Sequence, residues 1–97
     1  MKVRGPRALT PADPPAATAD LAALLAPLDA HPELLLTLET HLRHGRSRRA
    51  TADALHLHPN TVDYRLRRVA ALTGLDPADD GDVQRVGAAL AARRAQG

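Results

Sequence analysis

Asn60, Tyr64 and Arg67 stand at i, i+4 and i+7 in the middle of this 97-residue sequence. On a helix that spacing places an amide, a phenol and a guanidinium on one face. Arg matches the guanine edge, Asn the adenine edge, and hydroxyl and guanidinium groups suit phosphate oxygens. His58, just ahead of Asn60, and Thr61 and Arg68, beside the same face, extend the set. Arg46, Arg48 and Arg49 precede it in a second basic group. The expected chemistry is therefore recognition of a polyanion: His58, Asn60, Tyr64 and Arg67 reading base edges, and Arg46, Arg48, Arg49, Thr61 and Arg68 holding the sugar-phosphate backbone.

Other chemistries fit less well. His41 and His44 are three apart and His56 and His58 two apart, and neutral imidazoles bind zinc or nickel. However, no cysteine is present and no His-Glu-x-x-His run occurs. No metal or other cofactor is expected, and His41 and His44 are read as surface groups near a helix end, where positive charge is favoured. Asp79, Asp80 and Asp82 suit the first turn of a helix better than they suit paired acid–base catalysis. With no Gly-rich phosphate loop and no nucleophile beside a base, the chain is not expected to be an enzyme.

Elements must place these residues, and their limits are written locally. Ser47 is a good N-cap for a helix over 48–55. After His56, Leu57 and His58, Pro59 opens a longer helix ending near Thr73, with Gly74 as its stop. Two helices joined by about three residues have the spacing of a helix-turn-helix. Within it, Ala52 is small where the helices must cross and Leu57 can plug the angle between them. Val62, Leu66 and Val69 lie within about 60° of one another, opposite the polar face. Upstream, Leu21, Leu24, Leu25 and Leu28 share a helical face, with Thr18 or Asp20 as cap and Pro27 as limit. Pro32 opens a further helix lined by Leu34, Leu35, Leu38 and Leu42 and closed by Gly45, with Leu36 turned away. Asp76 and Pro77 are expected to begin the last helix, with Val83, Val86 and Leu90 inward.

Composition agrees with an all-α fold, a small helical bundle containing the helix-turn-helix. Apolar residues make up 44% of the chain, Phe and Trp are absent, and Tyr64 is the one aromatic residue. Leu and Ala dominate, and both favour helices. The net charge is +2. Residues 41–68 nevertheless hold seven Arg against two Asp, an asymmetry that suits a polyanion partner. No run approaches the roughly 20 apolar residues of a membrane span, and no signal peptide is evident. A cytoplasmic location is expected, nucleoid-associated when bound to DNA. Residues 1–17 contain half of the eight prolines and are read as a flexible leader. Residues 18–97 are read as the helix-turn-helix domain, with its core at 47–74.

The run from Thr51 to Gly74, TADALHLHPNTVDYRLRRVAALTG, closely resembles the C-terminal helix-turn-helix domain of PucR-type regulators, the purine-catabolism activator family. LLAPLDA and LLLTLETHL before it, and GLDPADDGDVQRVGAAL after it, extend the likeness over roughly residues 21–92. The resemblance implies a helical bundle, sequence-specific DNA binding in transcription control, and a DNA-facing role for His58, Asn60, Thr61, Tyr64 and Arg67. It also implies a large N-terminal sensory region in typical members, beyond what this sequence contains. Double-stranded DNA is the expected partner, with pairing of two chains, on DNA alone if a missing region normally supplies the dimer contact. The competing reading is a helical protein–protein or dimerisation module without DNA binding, using the Leu36 side and the Leu21–Leu28 segment.

Overall fold

A computed structural model describes residues 16–96, with side chains from residue 20 onward. The elements are α1 (Ala16–Ala23), a 3-10 turn (Ala26–Leu28), α2 (Pro32–Arg43), α3 (Arg48–Leu55), α4 (Pro59–Thr73) and α5 (Asp80–Ala95). No strand occurs among the described residues. Ala16 and Ala17, read above as the end of the leader, already belong to α1. Residues 1–15 lie outside the described part.

The helix of the Leu21–Leu28 segment ends sooner than its expected limit at Pro27. α1 begins ahead of Thr18 and Asp20, so neither caps it, and it stops at Ala23. Leu24 and Leu25 donate backbone N–H groups to Leu21 and Ala22, tightening the chain into i→i−3 bonds before Pro27. In a 3-10 turn residues three apart share a side, and this brings Leu25 and Leu28 fully into the core. The apolar pattern is kept although the helix is not.

α2, α3 and α4 follow their local signals. Pro32 occupies the first turn of α2, where a missing N–H costs nothing. Gly45 and Arg46 then adopt left-handed conformations, φ +63° and +66°, and reverse the chain into α3. Ser47 Oγ accepts the Ala50 N–H at 3.0 Å and caps α3. α4 ends on Gly74, also left-handed, whose N–H donates to the Ala70 carbonyl.

The last helix starts later than its Asp76-Pro77 pair suggests. Asp76 Oδ1 accepts the Ala78 N–H at 2.9 Å, which makes a tight turn. Asp79 is the true cap, its Oδ2 accepting from the Asp82 N–H at 2.8 Å. Asp82 in turn reaches back to the Asp76 N–H at 3.0 Å. Pro77 is buried under the turn and opens no helix.

Leu25, Leu28, Leu34, Leu38, Val69, Leu75, Val86, Ala89 and Leu90 form one buried cluster, with Leu24, Leu35, Leu42, Leu66 and Leu72 half-buried around it. α4 packs on α2 and α3, and α1 packs on α5. Val83, expected inward, is half-buried, and Ala89 and Ala92 fill that side of α5 instead. Leu36 is 49% exposed.

Candidate nucleic-acid interface

The turn between α3 and α4 is built by two histidines with different tasks. His56 takes a left-handed conformation, φ 57°, and the Leu57 N–H donates to the Ala52 carbonyl at 2.9 Å. Ala52 is 1% exposed, which fits its place at the helix crossing. His58 caps α4: its Nδ1 accepts the Asn60 N–H at 3.0 Å. That bond requires a lone pair on Nδ1, so Nε2 carries the ring proton and is the atom left to meet a ligand.

Beyond the cap, α4 separates its two sides cleanly. Val62 and Val69 are fully buried. Leu66, assigned to the same stripe, is half-buried. Asn60, Tyr64 and Arg67 are all exposed on the opposite side, Tyr64 by 56%. Thr61 and Arg68 are half-buried at its edges. Arg65 turns away and donates to Thr37 Oγ1 on α2 at 3.3 Å.

The upstream arginines divide. Arg49 is exposed, and no ion pair holds it, Arg67 or Arg68 among the described residues. Arg46 pairs with Asp80 of α5 at 2.8 Å. Arg48 turns toward α4, where its Nε donates to Asp63 Oδ2 at 2.7 Å and its Nη2 to Asn60 Oδ1 at 3.2 Å. The sequence reading singled out Arg48 and Asn60 but missed Asp63, which ties α4 to the first turn of α3. Arg46, Arg48 and Arg67 line an open cleft of about 900 Å³ beside α4.

His41, also in this cleft, corrects an expectation. It is 7% exposed, not a surface group. It follows Leu34 and Leu38 on the inward side of α2, at helical spacing that could have announced its burial. Thr51 gives its one hydroxyl proton to the Ser47 carbonyl at 2.7 Å. Toward His41 Nδ1, 3.3 Å away, Thr51 Oγ1 is therefore the acceptor, and Nδ1 carries the proton. Burial, then the nearby Arg46 charge, hold His41 below the ordinary value of 6.5, with Asp63 opposing them. No cluster of three or more His, Cys, Asp or Glu able to hold a metal ion occurs among the described residues.

Comparison with known proteins gives this geometry a family. Residues 34–92 match the model of the PucR C-terminal helix-turn-helix domain. An uncharacterised protein of Mycobacterium tuberculosis is 46% identical over 54 residues, 56% of this chain and 13% of that protein. The carbohydrate diacid regulator of Escherichia coli is 44% identical over 54 residues, 56% of this chain and 14% of that protein. The crystal structure of a regulator of polyketide synthase expression from Bifidobacterium adolescentis superposes with a TM-score of 0.76 at 37% identity, covering 82% of this chain and 35% of that one. The chain thus spans about one seventh of the curated relatives' length. With its matched segment running through all of α3 and α4, the chain belongs to the PucR C-terminal helix-turn-helix domain family.

Proposed function

We propose that this chain binds duplex DNA through α4 and acts in transcription control. The observation that carries the reading is the exposed Asn60–Tyr64–Arg67 face, set opposite the buried Val62 and Val69. The relatives described as regulators support the setting. In this reading α4 lies in the major groove. His58, Asn60, Tyr64 and Arg67 meet base edges, while Arg49, Thr61 and Arg68 hold phosphates. Arg46 and Arg48 add positive charge near the backbone, each tempered by its Asp partner. A cytoplasmic, nucleoid-bound location follows from the same reading; no described helix is long and apolar enough to cross a membrane.

The test is a gel shift on sequences selected from a random duplex pool. Alanine at Asn60, Tyr64 and Arg67 together is expected to abolish sequence preference. Alanine at Arg85 and Arg94, exposed on α5, is expected to leave it intact. Equal losses from both sets would place the interface elsewhere. The exposed Leu36 favours a second reading, a protein-pairing surface, which predicts no salt-sensitive DNA binding at all.

A further inference from the structure

Asp63 is a negative charge on the helix that the proposed function turns toward a polyanion. By itself it repels phosphate, so its position beside Asn60 and Arg67 calls for a physical reason. Its carboxylate accepts the Arg48 Nε–H at 2.7 Å, with side-chain exposures of 51% for Arg48 and 35% for Asp63. The same guanidinium donates from Nη2 to Asn60 Oδ1 at 3.2 Å. A guanidinium has five N–H donors and no acceptor. It therefore tolerates the Asn60 amide in one orientation only, oxygen toward Arg48 and NH2 away. The flipped amide would set donor against donor.

We propose that Arg48, held by Asp63, is a positioning residue that sets the polarity of Asn60 and thereby its base preference. The inference rests on the DNA-binding reading above. Paired with adenine, an Asn side chain uses both its ends, the oxygen taking the N6–H and the nitrogen giving to N7. Here Arg48 takes one of the oxygen's two lone pairs and holds the oxygen toward α3, so the NH2 group, with two donors, is the end turned to the ligand. The edge that fits two donors is one with acceptors only, and guanine N7 and O6 provide it. The Asn60 position is thus assigned to guanine in place of adenine. The Arg48–Asp63 pair gives up one phosphate contact and gains selectivity at one base pair.

The experiment selects bound sequences from a random duplex pool with the whole chain and with three variants, Asn60→Ala, Arg48→Ala and Asp63→Ala. Asn60→Ala identifies the base pair concerned, because preference relaxes there. At that position the unaltered chain is expected to select guanine. Arg48→Ala and Asp63→Ala are each expected to reduce the guanine preference on the order of tenfold and to admit adenine. Asp63→Ala removes a negative charge, so its affinity for random duplex is expected to rise while its selectivity falls. A purely structural role would relax preference across the whole site, not at the Asn60 position alone. If the unaltered chain selects sequences but both variants keep its preference at the Asn60 position, or if that preference is adenine, this inference is overturned and the DNA-binding reading stands. If the unaltered chain selects no sequence and binds without salt dependence, both fall together.

Discussion

At the scale of single residues, His41 sits where a proton is unwelcome. Its ring is buried between α2 and α3, and Arg46 lies near it while Asp63 gives partial compensation. The folded protein therefore binds the proton less readily than the unfolded chain, for which 6.5 is the ordinary value. As the pH falls below that value, the unfolded state takes up more protons and stability declines. The contribution is complete above 6.5 and lost as the pH falls toward the lowered folded value. Thermal melts between about pH 5 and pH 8 should show a steeper acid loss for the native chain than for His41→Gln; parallel curves would remove His41 as the cause. The exposed arginines separate by role. Arg67 is on the proposed reading face, so Arg67→Ala is expected to relax preference at one base pair, at a cost of about 1–3 kcal/mol. Arg49→Ala is expected to weaken all sequences alike and to reduce the salt slope by about one unit. Binding to a panel of single-base-pair changes at two salt concentrations distinguishes them, and a reversed pattern would mean that α4 docks differently.

At the scale of elements, helix ends and buried stripes set the cost of substitutions. Gly74 closes α4 at φ +75° with open space where a Cβ would stand. Gly74→Ala meets no clash there, and its expected cost is backbone strain alone, about 1 kcal/mol. Leu38 is fully buried, and Leu38→Ala is expected to cost about 2–5 kcal/mol. Leu66→Ala should cost clearly less, because Leu66 is half-buried. Chemical denaturation of the three variants checks the order, and a Leu66→Ala loss equal to that of Leu38→Ala would contradict it. These elements also show what a sequence makes legible. Pro32, Ser47, Pro59 and Gly74 act on backbone atoms within a few residues, so α2, α3 and α4 could be read directly, with α2 closing just before Gly45. Asp76-Pro77 imitates a helix start, yet the Asp76 side chain closes a turn and Asp79 caps the helix. The exposed side of α4 followed from periodicity. The Arg48–Asp63–Asn60 and Arg46–Asp80 links did not, because they join residues 12 to 34 positions apart. Which of these side chains meet depends on the angles between packed helices.

At the scale of the whole molecule, the bundle is a mount for α4. α2 and α3 support its buried side, and the exposed side carries no competing cover among the described residues. Helix-turn-helix proteins commonly bind two half-sites about 34 Å apart as two-fold pairs. Two chains per selected site are therefore expected, measurable by native mass or sedimentation of the complex; one chain per site would count against pairing. The excess of Arg over Asp in residues 41–68 bears on the central claim most directly. Each phosphate that the protein neutralises contributes about −0.9 to the slope of log affinity against log salt. The decisive measurement is the affinity of the chain for duplex DNA across a salt series. A linear fall with a slope of several such units is expected, and an affinity indifferent to salt would contradict DNA binding through this surface.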